Sequence, residues 1–192
     1  MALQVPDPPE QGMGIINDAL SSAIQQPNVA AFAVMDAAPE DLSTAAPHKV
    51  YFVGLSDLIE GRLLSAAKLK GWRYLIFNQD QPVVAAELQT GGDEVRFSNI
   101  NRGPFVDGAV EGVTFAESLE IVHQEDFELR ALEISPLYFV SLWLHGPQDL
   151  LIPLRPAPYP LEPLRVYEED ELIERLRGLA EQHLAVDNRP RG

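Results

Sequence analysis

His145 and Asp149 flank the turn HGPQD, at the end of the most hydrophobic passage of the chain, LEISPLYFVSLWLHG, Leu132 to Gly146. Across a tight hairpin the two side chains can meet, and a carboxylate that orients an imidazole is what a general base requires. A hydrolase would also need a nucleophile. Ser141, four residues back on the same strand, is the candidate, with Ser135 and Tyr138 near only if neighbouring strands align. A second reading needs fewer parts: Trp143 and His145 share a face at the strand's end, and the imidazole bonds Asp149 or a backbone group as the chain emerges into water. The simpler reading is favoured, and the set His145, Asp149 and Ser141 stands as the catalytic alternative.

The other reactive residues are scattered. Of the four histidines, His48, His123, His145 and His183, no two are spaced to share one face of one element. HQEDFE gathers His123, Glu125, Asp126 and Glu128, but a metal needs donors converging from a rigid frame, and a run this local reads as a solvated acidic connection. Arg102, in the polar loop SNINRGPF, is a candidate ligand-binding residue: a loop guanidinium in so acidic a chain can hold a carboxylate or phosphate, or pair with a surface acid. Gly12-x-Gly14 follows no strand and lacks a third glycine, so it is no dinucleotide fingerprint. P-loop, zinc-protease, nucleophile-elbow and EF-hand patterns are absent. Neither a cofactor nor a metal is expected.

These residues must be positioned by elements that the patterning predicts. Apolar residues at helical spacing mark a first helix over 15–25, and 29–35 reads as a short strand. A loop by composition covers 36–47, and KVYFVGL, 49–55, is strand-like. Asp57 with Glu60 resembles a capping box, and a helix is predicted from there to Gly71, with KLKGWR supplying cations to its last turn. WRYLIFNQDQPVVAAEL reads as two strands around a turn, and EVRFSNI as a third, which implies an antiparallel meander. Three glycines between 103 and 112 weaken any helix there, and Thr114 with Glu117 predicts a short helix over 115–122.

In FELRALEI the alternation slips at Leu132, pointing to a β-bulge or to deeper burial. Residues 137–144 are apolar on both faces and are predicted to form the central strand. GPQD then turns into LLIPL. Five prolines between 153 and 163 predict a stiff polyproline-like crossover, preferred over an SH3-ligand role for its PxxP spacings. A last helix over 167–184 would bury Leu172, Ile173, Leu176, Leu179 and Ala180.

Composition bounds the rest. At 192 residues, 46% hydrophobic and 22% charged, the chain reads as one globular domain, long enough to bury about 70% of its unfolded surface without staples. It has no cysteine, which fits a reducing cytosol. The net charge of −15 disfavours nucleic acid and anionic lipid as partners and suits a basic protein. No run of 18 apolar residues suggests a membrane span, and the first residues lack the features of a secretory signal. The expected fold class is α+β: a single domain with a largely antiparallel sheet of about six or seven strands packed with about four helices. That domain is expected over 13–185, after a disordered lead-in (1–12) and before a frayed tail (186–192). The expected function is that of a non-enzymatic cytoplasmic interaction protein of adaptor, regulatory or immunity type. A basic protein partner and a homodimer through exposed edges are expected; the alternative is a small hydrolase or ligand-binding enzyme near His145 and Asp149.

Overall fold

The computed structural model describes residues 3–25, 41–79, 81–91 and 94–187. The strand read over 29–35 lies outside them. The fold is a single α+β domain built on one seven-stranded sheet. Its strands are β1 (Leu42–Phe52), β2 (Lys68–Asn78), β3 (Gln81–Gly91), β4 (Glu94–Asn101), β5 (Glu128–Ile134), β6 (Phe139–His145) and β7 (Leu150–Pro153). They lie in the order β4-β3-β2-β1-β5-β6-β7, antiparallel throughout except where β1 runs parallel to β5. Five helices flank it: α1 (Gly12–Gln25), α2 (Leu55–Ile59), α3 (Pro104–Ser118), α4 (Glu120–Gln124) and α5 (Glu169–Asp187).

Side-chain alternation divides the core by face. On one face Trp72, Tyr74 and Ile76 of β2 meet Ile16 and Leu20 of α1, while Leu132, Phe139 and Trp143 meet Leu172 and Leu176 of α5. On the other, Leu75, Leu129 and Leu142 pack with Val106, Ala109 and Ala116 of α3 and Val122 of α4. The predicted apolar face of the last helix holds: Leu172, Ile173, Leu176 and Ala180 are buried and Leu179 packs beside them. No described helix is long and apolar enough to cross a membrane.

The helix expected from Asp57 to Gly71 is instead one short turn. Asp57 Oδ1 accepts from Arg62 rather than capping the helix, at 2.5 Å, and Gly61 at φ +79° turns the chain away after Glu60. Lys68 already belongs to β2, whose pairing with Phe52 and with β3 outweighs the local helical pattern. Gly71 serves that pairing, because a Cβ there would stand 1.8 Å from the Leu88 carbonyl oxygen. β1 likewise begins at Leu42, inside the segment read as a loop, since 42–45 find partners in Asn78–Leu75.

β5 and β6 stay in one register across 128–134, so the slip at Leu132 reflects burial on both faces and not a bulge. β6 is buried throughout its apolar length, yet it lies next to the edge of the sheet and β1 is central. Helices cover both its faces, and Tyr167 exchanges backbone hydrogen bonds with Leu151 of β7, at 3.0 and 2.8 Å, closing that edge. β1 pairs with β5 only over Lys49–Phe52; next to that stretch Gln4 bonds Leu129 of β5 and Phe127 just before it. The proline segment is not one extended rod: it turns at Pro158–Leu161, and Leu164 returns to bond the Pro153 carbonyl at 3.0 Å.

α3 is far longer than the expected helix over 115–122. Pro104 opens it, a favourable first helical residue, and its glycines are sites of close packing. A Cβ on Gly108 would stand 2.3 Å from the Arg155 carbonyl oxygen, whereas Gly178 in α5 faces open space. Alanine gains about 1 kcal/mol of helix propensity over glycine, but forcing atoms against backbone costs about 1–3 kcal/mol. Gly178→Ala is therefore expected to raise stability by up to about 1 kcal/mol and Gly108→Ala to lower it by about 1–2 kcal/mol, compared by urea unfolding.

Candidate functional site

Three strands each carry one charged side chain into the same buried spot. Arg73 of β2, Glu87 of β3 and Glu133 of β5 are all buried, and Arg73 and Glu87 are directly opposite in the β2–β3 register. Arg73 donates through Nε to Glu87 Oε1 at 3.0 Å and through Nη2 to both carboxylates. Lys70 donates to Glu133 Oε2 at 2.8 Å and lies 3.5 Å from Glu87 Oε2. Asn101 of β4 adds a third donor to Glu87 Oε1, at 3.0 Å. Two cations and two carboxylates thus neutralise one another, which such buried charges require.

The field of this cluster fixes its protonation. Burial pushes the Glu133 carboxyl up, but Arg73 and Lys70 outweigh it and hold the group below the ordinary value of 4.5. Burial lowers Lys70 and Arg73, yet their acidic partners leave both raised. His48 of β1, paired across the ladder with Arg73, is fully buried. Burial first, and Arg73 second, push its imidazole down to about 4. Its Nδ1 lies 2.7 Å from the Ala46 carbonyl oxygen, which can only accept, so Nδ1 carries the proton and Nε2 is an acceptor. Among the described residues that Nε2 has no hydrogen-bond partner.

Above the cluster, α3 leaves the sheet uncovered and a cavity of about 360 Å³ opens between the start of α3 and strands β2 to β5. This lies within the span of roughly 300–1,000 Å³ common for small-molecule sites. Lys70, Arg73, Glu87 and Glu133 form its charged floor, with Asn99 and Asn101 beside them. Leu75, Ala85, Phe105, Val106, Ala109 and Val140 supply an apolar wall. Arg102, the loop arginine singled out from sequence, is exposed and lines the same cavity. Among the described residues it enters no ion pair. Tyr138 also lines it, 80% exposed and at φ +49°. Bulky residues rarely adopt that left-handed conformation, and such outliers concentrate at functional sites.

At the HGPQD turn, His145 and Asp149 do meet: His145 Nδ1 lies 2.8 Å from Asp149 Oδ1, which also accepts from Trp143 Nε1 at 2.8 Å. The Trp143 and His145 rings stack edge to face, 5.5 Å apart. Ser141 is not brought to them. It is fully buried and donates to the Leu142 carbonyl oxygen at 2.7 Å; four residues of strand separate it from His145 by about 13 Å. Neither His145 nor Asp149 lines the cavity at Arg102. Among the described residues no cluster of three or more His, Asp or Glu side chains is placed to hold a metal ion.

No protein-family model, curated protein or solved structure matches the chain.

Arg102, which stands out in the sequence, lines this cavity, whereas the charged floor beneath it has no such local signal. By sequence alone KLKGWR, with Lys70 and Arg73, reads as cations at a helix end, and Glu133 reads as one residue of the slip in FELRALEI. The available signal is instead one charged residue inside each of three short apolar runs: Arg73 in WRYLIF, Glu87 in VVAAEL and Glu133 in ALEI. Charged side chains are almost never fully buried unless paired, so three such runs, with opposite signs, announce a buried cluster.

Proposed function

We propose that the protein is a non-enzymatic binding protein whose ligand site is the cavity at Arg102. The observation that supports binding over catalysis is the pairing of the floor: Glu133, Lys70 and Arg73 are each held in their charged forms by partners. Proton transfer near neutral pH needs a group poised there, and these are fixed charges. The hydrolase reading at His145 requires a nucleophile that Ser141, buried and far along the strand, does not supply. Outside the cavity, the net charge of −15 favours a basic protein partner, and the edge of β4, which pairs with no further strand among the described residues and exposes Phe97, suits a homodimer.

A neutral probe tests the cavity without presuming a ligand charge. Titration of 3-phenyl-1-propanol into ¹⁵N-labelled protein is expected to shift the amides of Leu75, Ala85, Val106 and Ala109. Asn99→Trp, which places a large ring at the exposed β4 wall, is expected to abolish those shifts with the rest of the spectrum intact. Shifts scattered over the surface, or shifts that persist in Asn99→Trp, would count against the cavity as the site.

A further inference from the structure

Resting on the reading of the cavity as a ligand site, the charge distribution names the ligand's class. The floor carries two positive groups, Lys70 and Arg73, and two negative ones, Glu87 and Glu133, joined by hydrogen bonds and ion pairs. Their charges cancel. Arg102 is the remaining charged side chain lining the cavity, and among the described residues it has no ion-pair partner. Asp107, which lines an adjoining cleft with Arg102, forms no ion pair with it. Among the described residues the cavity therefore presents one uncompensated positive charge at its edge and an apolar wall within.

We infer that the cavity binds a small amphipathic monocarboxylate, its anionic end on the Arg102 guanidinium and its apolar body against Phe105, Val106 and Ala109. A guanidinium offers a fixed fork of donors that matches a carboxylate with two parallel hydrogen bonds. A single cation without an ion pair among the described residues balances a monoanion; a phosphate monoester, carrying nearly two charges, would leave one uncompensated beside Glu87 and Glu133. The apolar wall sets the second requirement, since inorganic or fully polar anions would leave it exposed to water. The exposed Tyr138 ring, held at the mouth by its left-handed backbone, can close over the ligand's apolar body.

Three probes of one shape separate charge from shape: 3-phenylpropionate, 3-phenyl-1-propanol and 3-phenylpropylammonium. Affinities are measured by calorimetry and amide shifts at 150 mM NaCl, where a Debye length of about 8 Å screens the distant negative surface. The carboxylate is expected to bind about 10-fold or more tightly than the alcohol, and the ammonium more weakly than either. Arg102→Gln is expected to erase the preference for the carboxylate while leaving the alcohol's affinity within about twofold, so a folding defect cannot imitate the result. Equal affinity for acid and alcohol, or a preference that survives Arg102→Gln, would overturn the monocarboxylate assignment while leaving the cavity as a site. Failure of all three to reach the cavity would remove the site itself.

Discussion

Arg73→Met is expected to lower stability by about 3–5 kcal/mol, because it strands Glu87 and Glu133 beneath the cavity. Both carboxylates are buried, and Lys70 alone, a partly exposed side chain, would be left to neutralise them. Most of that loss is a penalty for unpaired buried charge and not the net contribution of the network. The distinction can be measured. A triple variant, Arg73→Met with Glu87→Leu and Glu133→Leu, removes the penalty together with the ion pairs, and apolar replacement of such clusters is often neutral or stabilising by about 1–4 kcal/mol. The triple variant is thus expected to recover most of what the single variant loses, read as the denaturant midpoint at unchanged slope. A triple variant no more stable than Arg73→Met would show that shape, not charge, governs the spot.

The same cluster dictates behaviour in acid. Glu133 titrates below its ordinary value in the folded protein, so the unfolded chain takes up the proton first as pH falls. The stabilisation is complete above the ordinary carboxylate value and is lost as pH falls through the folded one. The triple variant, lacking the carboxylate, should not share that loss.

What was legible in the sequence was whatever local chemistry decides. The β2–β3–β4 meander is announced by turn residues between β-branched and aromatic runs, and the periodicity of α5 marks its buried face. Where a distant partner decides, the reading failed. Residues 68–71 carry helical spacing, but Lys68 and Gly71 are claimed by Phe52, Val50 and Gln89 across two strands. The glycines of α3 look like helix breakers until Arg155 and Leu154 are seen pressed against them. The site divides in the same way. Arg102 is visible because a loop arginine needs no tertiary partner to be noticed. Arg73 and Glu87 become visible only through register, and counting back from the turn after Asn78 would place Arg73 opposite Ala86; the irregularity between Ile76 and Phe77 shifts the pairing by one residue and brings Glu87 opposite, a step that local sequence does not encode. Glu133 is hidden as well, because β5 joins β1 through a parallel pairing that no short-range signal encodes.

His48 lies where β1 leaves β5, and its burial predicts a large pH effect from one side chain. The folded protein holds the imidazole neutral down to about 4, against an ordinary value of 6.5. Burial is the main cause and the neighbouring Arg73 charge adds to it; the bond to Ala46 and the carboxylates of Glu87 and Glu133 oppose them. Between those two values the unfolded chain binds a proton that the folded one refuses. Stability therefore falls as pH drops across this window, by about 3 kcal/mol over its full width. His48→Asn isolates the effect, since its amide can keep a donor for the Ala46 carbonyl but does not titrate. Urea unfolding at intervals from pH 7.5 to 4 is expected to show wild type losing about 3 kcal/mol more than His48→Asn, on top of the carboxylate losses that both share. In the folded protein the His48 ring resonances should stay at their neutral positions down to pH 5. Parallel stability curves for the two proteins, or a His48 midpoint near 6.5, would mean that the imidazole reaches water or bonds an acidic partner and is not sealed from solvent.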